Sequence, residues 1–177
     1  MSVRPALIAV CCGCSVLTNL DTLGQDASAG CGSPGFICLE AEGGIVVAPM
    51  AIESDATASS GEDVLAGGDN SGTITFALDL AQSGTYFLWC RVIAPDAASD
   101  SFFVTFDTQA AIIDDASWRN GVNTWSPTWQ WNELNQSGAI VSVQLAAGQH
   151  ALVFGGREAG LKIDRFIMTT NAAFVPS

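Results

Sequence analysis

From residue 36 onward the chain alternates apolar and polar positions with a period of two. Thr73-Ile74-Thr75-Phe76-Ala77-Leu78-Asp79-Leu80 alternates almost strictly, and Ser101-Phe102-Phe103-Val104-Thr105-Phe106-Asp107 does so with Phe103 as the exception. Further β-type runs are 86–93, 139–145, 150–154 and 161–168, separated by Gly, Pro, Asn and Asp. Successive side chains of a strand point to opposite faces, so this pattern predicts antiparallel strands with one buried face. No long stretch combines helical apolar spacing with caps. Residues 36–177 therefore read as one all-β domain, an antiparallel β-sandwich of comfortable size and without internal repeats.

The first 35 residues follow a different pattern. Arg4 precedes an apolar stretch from Pro5 to Leu17, a positive start and a short apolar segment that read as an export signal. The stretch is too short to span a bilayer, which takes roughly 18–20 apolar residues. Residues 1–17 resemble a bacterial lipoprotein signal with Cys14, after Gly13, as the lipidated residue, although Cys11 stands where such signals usually carry Leu. Ordinary cleavage after Ala27-Ser28-Ala29 is the rival reading; both place the protein outside the cytoplasm, in the cell envelope or secreted, with a lipid anchor as its one link to a membrane. Residues 18–35, rich in Gly, Ser, Asp and Ala, read as a flexible tether. In an exported protein Cys31, Cys38 and Cys90 allow one disulfide and one spare thiol. Gly32-Ser33-Pro34-Gly35 is a turn that can bring Cys31 and Cys38 together, and Cys90 reads as a small buried hydrophobe.

Composition narrows the function. The 177 residues are 49% hydrophobic and 14% charged, too apolar for a disordered chain. Six Lys and Arg against 18 Asp and Glu give a formal charge of −12, which disfavours nucleic acid, because binding it requires cations that displace phosphate counterions. There is no Gly-x-Ser-x-Gly elbow, phosphate-cradling loop or His-Glu-x-x-His, and His150, the single histidine, reads as the start of a strand. No pair of carboxylates stands out as a glycosidase pair. The sequence does not read as an enzyme.

Two clusters of chemistry remain. In Glu40-Ala41-Glu42 the carboxylates share one face if the segment is a strand. No basic residue occurs from Glu42 to Trp89, so a hard cation such as calcium is a natural partner. A solvated edge strand with spare charge is the other reading. The second cluster is 118–132, Trp118-Arg119-Asn120-Gly121-Val122-Asn123-Thr124-Trp125-Ser126-Pro127-Thr128-Trp129-Gln130-Trp131-Asn132, which holds four of the five Trp. Indole faces stack on sugar rings, while Asn and Arg donate to hydroxyls. Trp118 and Trp125 read as loop aromatics and Trp131 as core, with Trp129 between the two.

The same segments carry a resemblance. Leu39-Glu40-Ala41-Glu42, Pro49-Met50, Ala58-Ser59-Ser60-Gly61, 84–92 and 100–104 follow in the order found in carbohydrate-binding modules of families six and thirty-five, and Trp129-Gln130-Trp131, 147–152 and 156–166 continue it. The chain resembles these modules over roughly residues 37–175. The resemblance implies a galactose-binding-like jelly roll and a structural calcium held by Glu40, Glu42 and Asp164, with carbonyls near Ala58–Gly61 completing its shell. It also implies a sugar cleft built from Trp118, Trp125 and Trp129, with Asn171 as a hydrogen-bonding partner. The stretch 108–128 departs from the family in length and acidity, with Asp114-Asp115. Two functions follow as expectations: a non-catalytic module binding a polysaccharide or other glycan, or a surface adhesion or structural domain of the same fold.

Overall fold

A computed structural model describes residues 31–177 with the exception of Asn120. The signal segment, Cys14 and most of the tether lie outside the described residues. In chain order the strands begin with β1 (Phe36–Glu40), β2 (Ile45–Val47), β3 (Ala51–Ser54), β4 (Glu62–Leu65), β5 (Thr73–Leu80), β6 (Gly84–Ala94), β7 (Ser101–Phe106) and β8 (Ile112–Asp115). They continue with β9 (Trp118–Arg119), β10 (Val122–Asn123), β11 (Ser126–Glu133), β12 (Asn135–Gln136), β13 (Ala139–Ile140), β14 (Val143–Leu145), β15 (Gly148–Gly156) and β16 (Lys162–Thr169).

The strands form two large antiparallel sheets. One has the order β2-β5-β15-β7-β8; the other runs β11-β6-β16-β4-β3, with β1 also on β16 and β14 also on β6. The period-two pattern does what it predicts. In β6 the residues Tyr86, Leu88, Cys90, Val92 and Ala94 are buried, while Phe87, Trp89, Arg91 and Ile93 are half-buried on the opposite face. The two sheets meet through aromatic rings. Phe154 of β15 stacks on Phe166 of β16 with centroids 3.7 Å apart, and Phe76 meets both edge-on. Burying such apolar area removes it from water at about 25 cal/mol per Å2, which is why the core-facing positions decide the fold.

Cys31 and Cys38 are joined in a disulfide that fastens the start of the described chain to β1. Cys90 is a buried free thiol whose pKa is pushed well up, chiefly by burial. The run 139–145 is divided into β13 and β14, which pair with different partners.

Candidate functional site

Several loops leave the sandwich at one end. β6 ends at Ala94 opposite Ser126, β8 ends at Asp115 opposite Ser101, and β15 ends at Gly156 opposite Phe102. The loops 95–100, 116–125 and 157–161 therefore emerge together. Trp125 is 46% exposed there, and its indole N–H donates to Asp100 Oδ2 at 2.7 Å. The same oxygen accepts the Ser117 hydroxyl at 3.2 Å, and the Asp100 amide donates to Glu158 Oε2 at 2.9 Å. Arg157 Nη1 donates to Glu158 Oε1 at 2.6 Å. Burial pushes the Asp100 carboxyl up, with Asp115 and Glu158 adding to it and the Trp125 and Ser117 bonds opposing it. Trp125 is thus an exposed ring held at a fixed angle by an acid that is itself braced on two sides.

The other expected tryptophans have separate surroundings. Trp118 is half-buried and packs against the turn at Gly138; a Cβ there would stand 2.3 Å from its ring. Gly138 also has φ +81°, so the turn requires glycine both for its backbone and for the indole. Trp129 donates its indole N–H to Thr57 Oγ1 at 3.0 Å and has the Arg91 guanidinium 5.4 Å from its ring centroid. The three indoles therefore rest on Asp100, Gly138 and Thr57 and do not share one partner.

Asn171 is not with them. It follows Thr169, which pairs with Phe87, whereas Ser126 pairs with Ala94, seven residues along β6 (94 − 87 = 7). At about 3.3 Å per residue that is about 23 Å. Its side-chain oxygen accepts the Ala173 amide at 3.0 Å, a local turn. Trp131 also departs from expectation. It lies half-buried on the outer face, level with Arg91, because the pairing shifts between Ser126 and Gln130 and turns Asn132 inward instead. Asn132 donates to the buried Asp114 at 2.7 Å, and Asn135 donates to it through its backbone and side chain. Burial is the main cause that pushes Asp114 up to about 8. The side chains of 108–135 thus carry a polar interior that alternation did not reveal; the paired acids Asp114-Asp115 were its one visible sign.

Glu40, Glu42 and Asp164 converge, but not as a strand would arrange them. β1 stops at Glu40 and the chain enters a single 3-10 turn, Ala41–Gly43, which carries Glu42. Ser59 donates both its amide and its hydroxyl to Asp164 Oδ1, each at 2.8 Å, and its hydroxyl also meets Glu40 Oε2. The Ser60 hydroxyl meets Glu42 Oε1. Arg91 bonds Asp164 Oδ2, and Arg165 Nη2 is 3.2 Å from Glu40 Oε1. The absence of basic residues between Glu42 and Trp89 is therefore made good by Arg91 and Arg165, which antiparallel pairing brings opposite each other. Burial raises the Glu40 pKa, opposed by Ser59 and Arg165. Among the described residues Glu42 Oε2, a buried atom, has no hydrogen-bond partner. A buried unpaired carboxylate oxygen is costly, and oxygen donors of this kind suit a hard cation. As they stand, no three His, Cys, Asp or Glu among the described residues are arranged to hold a metal. The three carboxylates suit calcium in donor type, while in this arrangement serine hydroxyls stand between them.

No protein-family model and no curated protein matches the sequence. Solved structures do match. A Podospora anserina GH26-CBM35 β-(1,4)-mannanase has a TM-score of 0.62 at 20% identity over 81% of this chain, which spans 29% of that one. A family 35 carbohydrate-binding module from Clostridium thermocellum has a TM-score of 0.58 at 15% identity, covering 77% of this chain and 98% of the module. The C-terminal family 6 module of a Zobellia galactanivorans laminarinase has a TM-score of 0.52 at 18% identity, covering 76% and 98%. Two stacked antiparallel sheets matched nearly end to end by isolated modules give this chain the β-sandwich fold of family 6 and family 35 carbohydrate-binding modules.

Proposed function

We propose that the chain is a non-catalytic carbohydrate-binding module of an exported protein, and that it takes a neutral glycan at the loop end formed by 95–100, 116–125 and 157–161. The observation that carries this reading is Trp125, a 46% exposed indole fixed by its bond to Asp100. Exposed rigid aromatics beside placed polar groups suit sugar recognition. Asp100 Oδ2 orients the ring, and the Asp100 carboxyl lies against that of Glu158, so the two acids beside Trp125 form a polar edge suited to sugar hydroxyls. Trp118 backs the loop from its seat on Gly138, and Trp129 belongs to a second aromatic surface beside Arg91. One stacked ring with a few hydroxyl bonds corresponds to micromolar to millimolar affinity, roughly −8 to −4 kcal/mol.

In this reading Glu40, Glu42 and Asp164 hold a structural calcium that ties β1 to β16, supported by the unpartnered Glu42 oxygen. The ion would neutralise the carboxylates and exclude the serine hydroxyls from between them. Cys14 anchors the protein to the membrane by a lipid; a Cys14→Ser variant released from the membrane fraction supports this, and an unchanged distribution refutes it. A second reading, an adhesion or structural domain, is favoured by Ile45 and Val47 on edge strand β2, 70% and 50% exposed. The neighbours suggest probes: β-1,4-mannan and laminarin. Retardation of the protein by one of them in affinity gels, with calcium present, supports the sugar reading. No retardation by a broad glycan panel gives way to the adhesion reading.

A further inference from the structure

Two sets of contacts meet at Arg91. On one side its Nη1 bonds Asp164 Oδ2, and on the other its guanidinium lies over Trp129 at 5.4 Å. The Trp129 indole N–H reaches Thr57 Oγ1 at 3.0 Å, and the Thr57 hydroxyl donates to Asp55 Oδ1 at 2.6 Å. Two residues further along the same loop, Ser59 donates its amide and hydroxyl to Asp164 Oδ1. One carboxylate thus holds both the cation over the Trp129 face and the loop that receives the Trp129 N–H. The charges around it do not cancel. Glu40, Glu42 and Asp164 contribute three negative charges and Arg91 and Arg165 two positive ones, so among these five groups one negative charge (−3 + 2 = −1) remains, and among the described residues Glu42 Oε2 has no hydrogen-bond partner.

We propose that Arg91 is a positioning residue that couples Trp129 to this carboxylate site, so that uptake of a divalent cation there resets the Trp129 indole. The inference rests on the reading that Glu40, Glu42 and Asp164 bind calcium. Any oxygen of Asp164 given to a divalent ion is withdrawn from Arg91 or from Ser59. A guanidinium with a weakened carboxylate partner shifts its balance toward the aromatic face and the nearby Thr57 carbonyl, 3.5 Å from Nη2. Displacing Ser59 moves the loop two residues from Thr57. Both movements arrive at the same indole. The platform on this side of the molecule is then complete only when the cation is bound.

The test is a calcium titration of the full chain after chelator treatment, following binding heat and tryptophan emission together. The wild type is expected to show binding heat and an emission change. Trp129→Phe should keep calcium affinity within about twofold yet lose more than half of the emission change. Arg91→Gln should bind calcium and lose the change, and Arg91→Lys should recover part of it; where Arg91→Gln fails to fold, the Lys variant and Trp129→Phe carry the comparison. Heat without an emission change in the wild type, or a full change in Trp129→Phe or Arg91→Gln, overturns the coupling and leaves calcium binding intact. No binding heat in the wild type overturns both.

Discussion

Replacing Trp125 with Ala is the sharpest test of the loop-end site, because its effects on binding and on stability can be separated. A sugar ring stacked on the indole hides on the order of 80 Å2 of apolar surface, counting both partners, which at about 25 cal/mol per Å2 is about 2 kcal/mol. That corresponds to roughly a 30-fold loss of affinity, which carries a sub-millimolar ligand beyond detection. A little over half of the indole is buried, and its N–H bonds Asp100. Truncation therefore also costs about 2–3 kcal/mol of stability as an upper estimate. The control is Phe154→Ala, at a ring with no exposed surface that stacks between the sheets, which costs about 3–5 kcal/mol. Binding is measured by calorimetry with the retained glycan, well below both melting temperatures. The expected result is a Trp125→Ala protein that is folded and does not bind, beside a Phe154→Ala protein that is less stable and binds normally. A Trp125→Ala protein that binds within twofold of the wild type refutes the site.

Removal of calcium by excess chelator should lower the melting temperature: an ion at a hundredfold excess over its Kd contributes about 2.7 kcal/mol, or about 5–11 °C for a domain of this size. Glu42→Ala should abolish that sensitivity, and identical melting curves with and without chelator would remove the ion from the account. His150 Nδ1 lies 2.7 Å from Asp107 Oδ2, and its pKa is raised by that bond while the Asp107 pKa is lowered by it. The His150 contribution is full below the unfolded-histidine value, about 6.5, and is lost as pH rises through the raised folded value; the Asp107 contribution is lost as pH falls through its lowered one. Melting temperature against pH should therefore flatten on both flanks in His150→Gln, and an unaltered profile would show that the pair contributes nothing. Gly138→Ala should shift Trp118 emission and destabilise the loop, since its added carbon meets the indole at 2.3 Å and φ is +81°; unchanged emission would place the ring elsewhere.

The fold was legible because its signal is repeated. Strands such as 73–80 and 148–156 each bury one face, so every strand restates the same period and errors in one are corrected by its neighbours. The site residues carry no such redundancy. Trp131 has the right spacing for a core position, yet one pairing irregularity between Ser126 and Gln130 puts Asn132 inside and Trp131 outside. The position of Asn171 after the last strand does not place it, because nothing local records at which end of the sandwich that strand stops. Glu40 and Glu42 were read as strand neighbours and meet Asp164 through a 3-10 turn. Arg91 and Arg165 were missed as their partners because they are 74 positions apart (165 − 91 = 74), and only antiparallel pairing sets them side by side. Long-range register is the information that periodicity lacks.

That register also places two different aromatic surfaces on this molecule, and the proposed glycan would meet a different charge at each. At the loop end Trp125 is bonded to Asp100, which has Asp115 and Glu158 beside it, with Arg157 already engaged by Glu158. A glycan carrying carboxylates or sulfates would meet like charge there, in a protein whose formal charge is −12, and would need a bridging cation to stay. Neutral hydroxyls fare better, because a carboxylate is a strong acceptor for an O–H donor. On the sheet face the balance is reversed. Reading across the strands, Trp131, Arg91, Arg165 and Glu40 stand in one row, and Trp129 lies over the first of those guanidiniums. Arg91 is held by Asp164 and the buried Arg165 by Glu40, so in the proposed reading the charge of this face, chiefly that of Arg91, would depend on what occupies the three-acid site. In the proposed reading the loop end would discriminate by fixed charge, and the sheet face by a charge that an ion bound at the three acids would change.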